Sequence, residues 1–501
     1  MATTPYRLRK TWRNYVRDQT ANPIRLFRPD SFGSLNDILR EAREKGLKVK
    51  PVGSGHSSSD IALTRDYMID THGLCREFEL KHLDLNPENT GNTNLFFAEA
   101  GMTIHNLNKT LDSKGKALIN MGAYDGQTIA GVVSTSTHGS GVTLGAFPDS
   151  LKAIFLLTED GTLLQIEPSG SASISKGPAN LPHANVDRLI RDDDYFYAVG
   201  VSMGCMGIIY AVVLQVTDKY MLEETRTFTH WAEVRPHLES GSLLREYRHV
   251  EVLVSPYRYK GRDHKCMVTK RKIATNKEYK SPVIPRGHRK ILPELLVRLV
   301  PAFILDNILL FIVNHFPKAM PAFVQSELST LTDKNYVDKS YKVLNLGADN
   351  NLAAYASEIS LPASTYLNAV DEIIRVVNDS AKEGEQYLNA PFSLRFVKTN
   401  RFFLSMQYNR RNEDFVCMIE FPTVSGTIGG MELLARIETA LYPFGGIPHW
   451  GQVNHIGGNG RSAVAQLYPR FADWMQIYGK LCPKNRFAND FTNACGISNT
   501  F

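Results

Sequence analysis

Residues 51–60 read PVGSGHSSSD, and the fold turns on this stretch. Just before it, 46–52 (GLKVKPV) predicts a short strand with Leu47, Val49 and Pro51 on one face. The strand stops at Gly53 and Gly55, residues that tolerate positive φ. Gly53, Ser54, Gly55, Ser57, Ser58 and Ser59 then offer successive backbone N–H groups and hydroxyls with little side-chain bulk, which suits close approach to an anionic diphosphate. One imidazole, His56, stands in the middle. Gly/Ser loops also serve as plain surface turns, so this stretch alone leaves both readings open.

A second segment of the same character decides between them. Residues 126–145, GQTIAGVVSTSTHGSGVTLG, again set small polar groups beside a histidine, His138. Upstream of it, Gly122 thins the backbone in ALINMGAYDGQTIAG. Further on, 202–216 (SMGCMGIIYAVVLQV) bring Gly204 and Gly207 ahead of a strand predicted over 208–216, and those glycines serve either a nucleotide or close packing. Near the carboxyl end stands PFGGIPHWGQ, 443–452.

In order and spacing these four segments resemble the aldonolactone and alditol oxidases, the family of the L-gulonolactone and D-arabinono-1,4-lactone oxidases within the vanillyl-alcohol oxidase type of flavoprotein. The resemblance covers roughly 20–220 and 385–495. It implies an α+β fold: a two-subdomain FAD-binding domain of the PCMH type over 1–218, an α+β substrate or cap domain over 219–450, and a segment, 451–501, returning to the FAD domain. It implies FAD joined covalently to His56, held by Val52, Gly53, Ser54, Gly55, Ser57 and Ser58 in the first loop and by Gly122, Gly131, Ser134, Thr137, His138, Gly139 and Gly141 in the second. The backbone at Gly207 and Ile209 is expected to meet the adenosine.

For the substrate, the resembled family uses a carboxylate and an arginine two residues apart on a strand, then His-Trp-(Ala or Gly)-Lys. Period-two spacing places such a pair on one face. Here the positions hold Ser393, Arg395 and His449-Trp450-Gly451-Gln452, so the carboxylate and the lysine are missing. The expectation is a less polar pocket, with Phe402, Phe403 and Tyr408 nearby and an alcohol of apolar or aromatic body as an alternative substrate. Arg395 is expected to stabilise developing charge, His449 or His455 to accept the proton, and Gln452 and Asn454 to orient the substrate. Arg395 also reads as an ordinary ion-pair partner, and His455 as a surface residue. The resemblance implies oxidation of a CH–OH group, of a lactone, polyol or other alcohol, with O2 reduced to H2O2. A dehydrogenase feeding a quinone or cytochrome and a catalytically silent flavin-binding partner protein are the alternatives.

Composition sets bounds. The chain has 501 residues, 43% hydrophobic, with a net charge of +6. Lys and Arg are spread rather than blocked, which argues against a nucleic-acid surface. Six cysteines at 75, 205, 266, 417, 482 and 495 form no CxxC pair, so reduced thiols and no metal site are expected. The first 19 residues are basic without an apolar run, which predicts an intracellular protein, cytoplasmic or peripherally membrane-associated. Residues 291–316, ILPELLVRLVPAFILDNILLFIVNHF, are apolar but broken by Glu294, Arg298, Pro301 and Asp306, so they read as core helices or as a peripheral membrane contact rather than a span. The oligomeric state is left open.

Element predictions are a helix over 31–45 capped by Ser34, a strand over 95–99, a helix over 103–113, a hairpin over 151–166, strands over 394–398, 402–408 and 414–421, and a helix over 431–441.

Overall fold

The computed structural model describes residues 6–8, 11–259, 261, 263–274, 302–330, 336–345, 354–384 and 386–498. Its first layer is a four-stranded sheet in the order Tyr6–Leu8, Arg25–Phe27, Tyr67–Asp70, Val49–Val52. The last two run parallel, with Val52 opposite Asp70. The helix Phe32–Glu44 covers it, burying Leu35, Ile38, Leu39 and Ala42. Each large side chain so buried contributes about 1.5–3 kcal/mol. The cap is Ser31, not Ser34; Ser34 sits three residues in and completes a reciprocal capping box.

The second layer is a six-stranded sheet in the order Arg188–Arg191, Leu163–Glu167, Leu151–Leu157, Ile208–Gln215, Leu95–Glu99, Glu77–Phe78. The hairpin over 151–166 is present, Ile154 facing Ile166. Its strands read as continuous apolar runs because they are almost wholly buried on both faces.

The third layer is an eight-stranded sheet built from 221–448, ordered Tyr336–Lys339, Met221–His230, Asp263–Ile273, His249–Tyr259, Phe392–Lys398, Phe415–Val424, Ala354–Pro362, Ile447–Pro448. One face packs Leu394, Phe396, Cys417, Ile419, Ile359 and Leu361 into a core with the helices Tyr366–Lys382 and Gly430–Leu441. By period-two alternation the other face presents Arg395, Glu420 and Glu358 towards the first two layers.

Residues 402–408 do not form the predicted strand. They make a turn-rich loop whose Phe402, Phe403, Leu404 and Met406 are buried. Phe402 packs against Tyr197 at 5.2 Å, and Ser405 Oγ lies 2.9 Å from Ser136 Oγ. The apolar spacing there anchors a loop to the amino-terminal half, and Phe392–Lys398 pairs instead with Phe415–Val424.

The carboxyl-terminal helix Phe471–Leu481 returns to the first half, Trp474 Nε1 donating to Ala198 O at 3.1 Å. Val49 N–H, at the start of the strand that feeds the 51–60 loop, donates to Arg486 O at 2.8 Å. Of the apolar stretch 291–316, residues 291–301 lie outside the described residues. The helix Ala302–His315 buries Leu309 and Val313 and leaves Ile308, Phe311 and Ile312 exposed. The pair Asn307–His315 and Pro317–Ser326 bends by 98°, and no single helix among the described residues is long and apolar enough to cross a membrane.

Candidate active site

One cavity, of about 420 Å³, runs between these layers and brings both glycine-lined loops onto a single groove. Val52, Gly53, Ser54, Gly55, His56 and Ser57 line it from the first loop, Gly122, Gly131, Ser134, Thr137 and His138 from the second, and Gly207 and Ile209 from the strand that follows. A Cβ on Gly53 would stand 2.1 Å from Thr128 Oγ1, so only glycine lets the two loops meet. Gly55 alone of this pair has positive φ, +68°.

Four predicted residues fall elsewhere. Ser58 does not line the cavity because its N–H donates to Gly451 O at 2.8 Å, tying the first loop to the carboxyl-terminal loop. Gly139 and Gly141 are packing positions: Cβ atoms there would lie 2.2 Å from Asn120 Oδ1 and 2.6 Å from Arg248 O. Asn454 donates from Nδ2 to the carbonyls of His449, Trp450 and Gln452 and so shapes the loop rather than meeting substrate. Ser54 lines the groove, but its hydroxyl is taken, donating to Gly126 O at 2.5 Å, so what that segment presents is backbone.

His56 packs against two aromatic rings that sequence reasoning missed, Tyr15 and Tyr124, each 4.3 Å away between ring centroids. Burial, reinforced by His72, holds its pKa down to about 4, so the ring is neutral near pH 7.

At the far end of the groove lies a charged cluster in which Glu358 is buried and Arg395 and Glu420 are partly exposed. Arg395 Nη2 donates to Glu358 Oε1 at 3.0 Å and to Glu420 Oε2 at 2.8 Å. Glu358 and Glu420 are directly opposed across the sheet, a pairing of like charges that is unfavourable unless a cation bridges it. Arg395 is that cation: burial disfavours its charge, but Glu420 and Glu358 outweigh it. His138 donates from Nδ1 to Gly139 O at 2.8 Å and approaches Glu358 Oε1 with Nε2 at 3.1 Å. For Glu358 burial alone would raise the pKa, yet His138 and Arg395 hold it far below the usual carboxylate range. Glu420 goes the other way, raised by burial and by Glu358 and Glu251 against the pull of Arg395.

The expectation of a less polar pocket is thus overturned. The carboxylate missing at Ser393 is present at Glu420, the residue directly across the sheet from it. Phe402 and Phe403 are 2% exposed and Tyr408 lies off the cavity. His449 does line it, but its Nδ1 accepts the Gly451 N–H at 2.9 Å, which leaves the proton of the neutral ring on Nε2. His449 is therefore a donor towards the cavity, not a proton acceptor. His455 lies off the cavity, paired with Glu438 at 3.0 Å. Gln452 donates to Glu420 Oε1 at 3.2 Å, while its Oε1 and Arg395 Nε are buried without partners.

The donor set and the small-residue walls fit a flavin dinucleotide: backbone N–H groups and glycines along the groove, and a cation and a histidine donor at its end. An FAD-binding-domain family model matches residues 23–167, and a D-arabinono-1,4-lactone oxidase family model matches 212–495. A solvent-stable cholesterol oxidase superposes with a TM-score of 0.79 over 99% of both chains at 14% identity, which establishes the fold. L-Gulonolactone oxidase of Mus musculus is 25% identical over 96% of this chain and 97% of its own length. L-Gulono-1,4-lactone dehydrogenase of Mycobacterium tuberculosis is also 25% identical, over 96% and 98%. Fold and site together define an FAD-dependent oxidoreductase of the vanillyl-alcohol oxidase type. Within that class the chain belongs to the D-arabinono-1,4-lactone oxidase family.

Proposed function

We propose that this enzyme oxidises a CH–OH carbon of a polyhydroxylated sugar lactone to a carbonyl, using FAD attached covalently to His56 and passing the electrons to O2, so that CH–OH and O2 become C=O and H2O2. The observation that carries this reading is the Arg395 cation held between Glu358 and Glu420 at the end of the glycine-lined groove. A charged, hydrogen-bonding cluster of this kind favours a substrate rich in hydroxyls over one of apolar body.

When bound, the flavin supplies the hydride acceptor. Around it, Glu420 takes the substrate hydroxyl proton, its raised pKa matching it to that task. Arg395 stabilises the charge that develops as the proton leaves. His449 donates through Nε2, and the free Oε1 of Gln452 accepts from a second hydroxyl. Glu358 stays ionised and fixes Arg395 and His138. We further assign a peripheral membrane contact to the exposed corner formed by Ile308, Phe311, Ile312 and Phe316 with Ile428 and Met431.

The test is anaerobic mixing of the purified enzyme with a panel of aldonolactones, polyols and aromatic or lipid-like alcohols, following loss of the oxidised flavin's absorbance. Reduction by lactones and not by apolar alcohols is the expected result; the reverse preference defeats the reading. Oxygen consumption measured against reduction of an artificial dye then separates the oxidase from the dehydrogenase alternative.

A further inference from the structure

The amino-terminal stretch Trp12–Ala21 lies against the outside of the 51–60 loop and is more tightly joined to it than a terminal segment needs to be. Trp12–Arg13 pairs with Thr20–Ala21 as a narrow ribbon. From its tip Tyr15 N–H donates to Gly55 O at 2.7 Å, Asn14 Nδ2 to Ser57 O at 2.9 Å and Gln19 Nε2 to Ser58 O at 3.0 Å. The Trp12 ring would stand 2.9 Å from a Cβ on Gly55, so the strap closes down on the backbone itself. These contacts bracket His56 on both sides in sequence.

From the strap, Tyr15 stacks on one side of the His56 ring, tilted 34°, and Tyr124, from just ahead of the second loop, packs on it at 51°. The two tyrosines are themselves 5.6 Å apart, and both line the cavity. On the far side of the loop, Ser54 Oγ has given its proton to Gly126 O, so it accepts from His72 Nε2 at 3.0 Å; His72 Nδ1 lies 2.5 Å from Asp70 Oδ1. That carboxyl is partly buried, which would raise its pKa, yet the hydrogen bonds from His72 hold it below the ordinary value. Burial, reinforced by His72, keeps the His56 pKa at about 4.

We propose that Tyr15 and Tyr124 are positioning residues that hold the His56 ring oriented for attack on the flavin ring, making the strap over residues 12–21 part of the cofactor-attachment apparatus. This rests on the reading that the flavin is linked through His56. In the attachment step a C–N bond replaces one C–H bond of a ring methyl and the N–H bond of His56. The two electrons and two protons released reduce O2 to H2O2. An imidazole that carried an extra proton would have no lone pair for this step, and one free to rotate would meet the ring methyl only occasionally.

The experiment compares the wild-type full-length chain with Tyr15→Ala, Tyr124→Ala, Tyr15→Phe, Tyr124→Phe and His56→Ala. Each is incubated with excess FAD in air and sampled over time, and flavin is measured in the acid-precipitated pellet and in the supernatant. The expected result is a wild-type pellet that carries flavin, a His56→Ala pellet that carries none, and attachment at least tenfold slower in the two alanine variants, with their bound flavin released on acidification. The phenylalanine variants keep the aromatic faces and attach at close to the wild-type rate. Alanine variants that attach flavin as fast as wild type overturn the proposal while leaving the His56 linkage standing. A wild-type pellet without flavin overturns the linkage itself, and this proposal with it. Should Tyr124→Ala fail to fold, Tyr15→Ala decides alone, since Tyr15 is 45% exposed on the strap.

Discussion

Glu420 is the residue on which the proposed chemistry depends, and it is also the one that no local pattern in the chain reveals. A motif written as two residues on one strand can be read by period-two spacing, but Ser393 breaks it, and the replacement lies 27 positions further on, opposite Ser393 only because of the strand register. Glu358 is hidden for the same reason. The glycine loops, by contrast, are legible because their chemistry is local: small side chains, backbone N–H groups and one imidazole within a few residues. Replacing Glu420 with Gln keeps the shape and the contact to Arg395 but removes the base, so the rate of flavin reduction by substrate should fall by about 10²–10⁴-fold with flavin content unchanged. The pH profile adds a second check. The base must be ionised to work and its pKa is raised from 4.5, so wild-type turnover should decline as pH falls through a value above 4.5, and that acid limb should vanish in Glu420→Gln. A variant that reduces flavin at near the wild-type rate would remove Glu420 from the mechanism.

At the level of elements, the junctions between layers carry more constraint than the strands themselves. Of the strands and helices predicted from periodicity, 402–408 is the stretch that does not form as predicted, because apolar spacing records burial and not the partner that does the burying. The contact between Gly53 and Thr128 is such a junction. Gly53→Ala should cost the protein its flavin, at least a tenfold loss in flavin-to-protein ratio after gel filtration, whereas Gly33→Ala, with nothing within 4 Å of its added methyl, should leave that ratio unchanged. A second junction is the turn Phe147–Ser150, where Asn400 Nδ2 donates to Asp149 Oδ2 at 3.2 Å. Burial raises the Asp149 pKa from 3.8 to about 7. A raised folded-state value means the folded form holds the proton more tightly than the unfolded one, so this group's contribution is fully present below 3.8 and is lost as pH rises to about 7. Asp149→Asn removes that loss. Its melting temperature should match wild type near pH 4 and exceed it increasingly up to pH 7, and a pH-independent difference would show that Asp149 does not titrate there.

Across the whole molecule, most of the exposed large apolar side chains of the described residues gather on one corner. Of those among the described residues, Ile308, Phe311, Ile312 and Phe316 come from one helix and the bend after it, Ile428 comes from the turn it packs beside, where Asn314 Nδ2 donates to Gly426 O at 3.1 Å, and Met431 comes from the start of the helix Gly430–Leu441, while Tyr15, Ile24, Phe228 and Ile273 lie elsewhere. Single exposed apolar residues are ordinary, whereas a cluster on one corner is the form a bilayer or partner contact takes. The 98° bend rules the two helices out as one straight span but suits them to lie in an interface, with Leu309, Val313 and Met320 turned inward. The net charge of +6 adds attraction to an anionic surface, which fades with salt, while the apolar contribution does not. The enzyme should therefore co-sediment with vesicles containing anionic lipid and stay partly bound when the salt is raised. Phe311→Asp with Phe316→Asp should reduce the bound fraction at high salt at least fivefold without changing turnover on a soluble lactone, because both positions are remote from the groove in sequence and neither lines it. Equal binding by the double variant and the wild type would show that this corner faces something other than lipid.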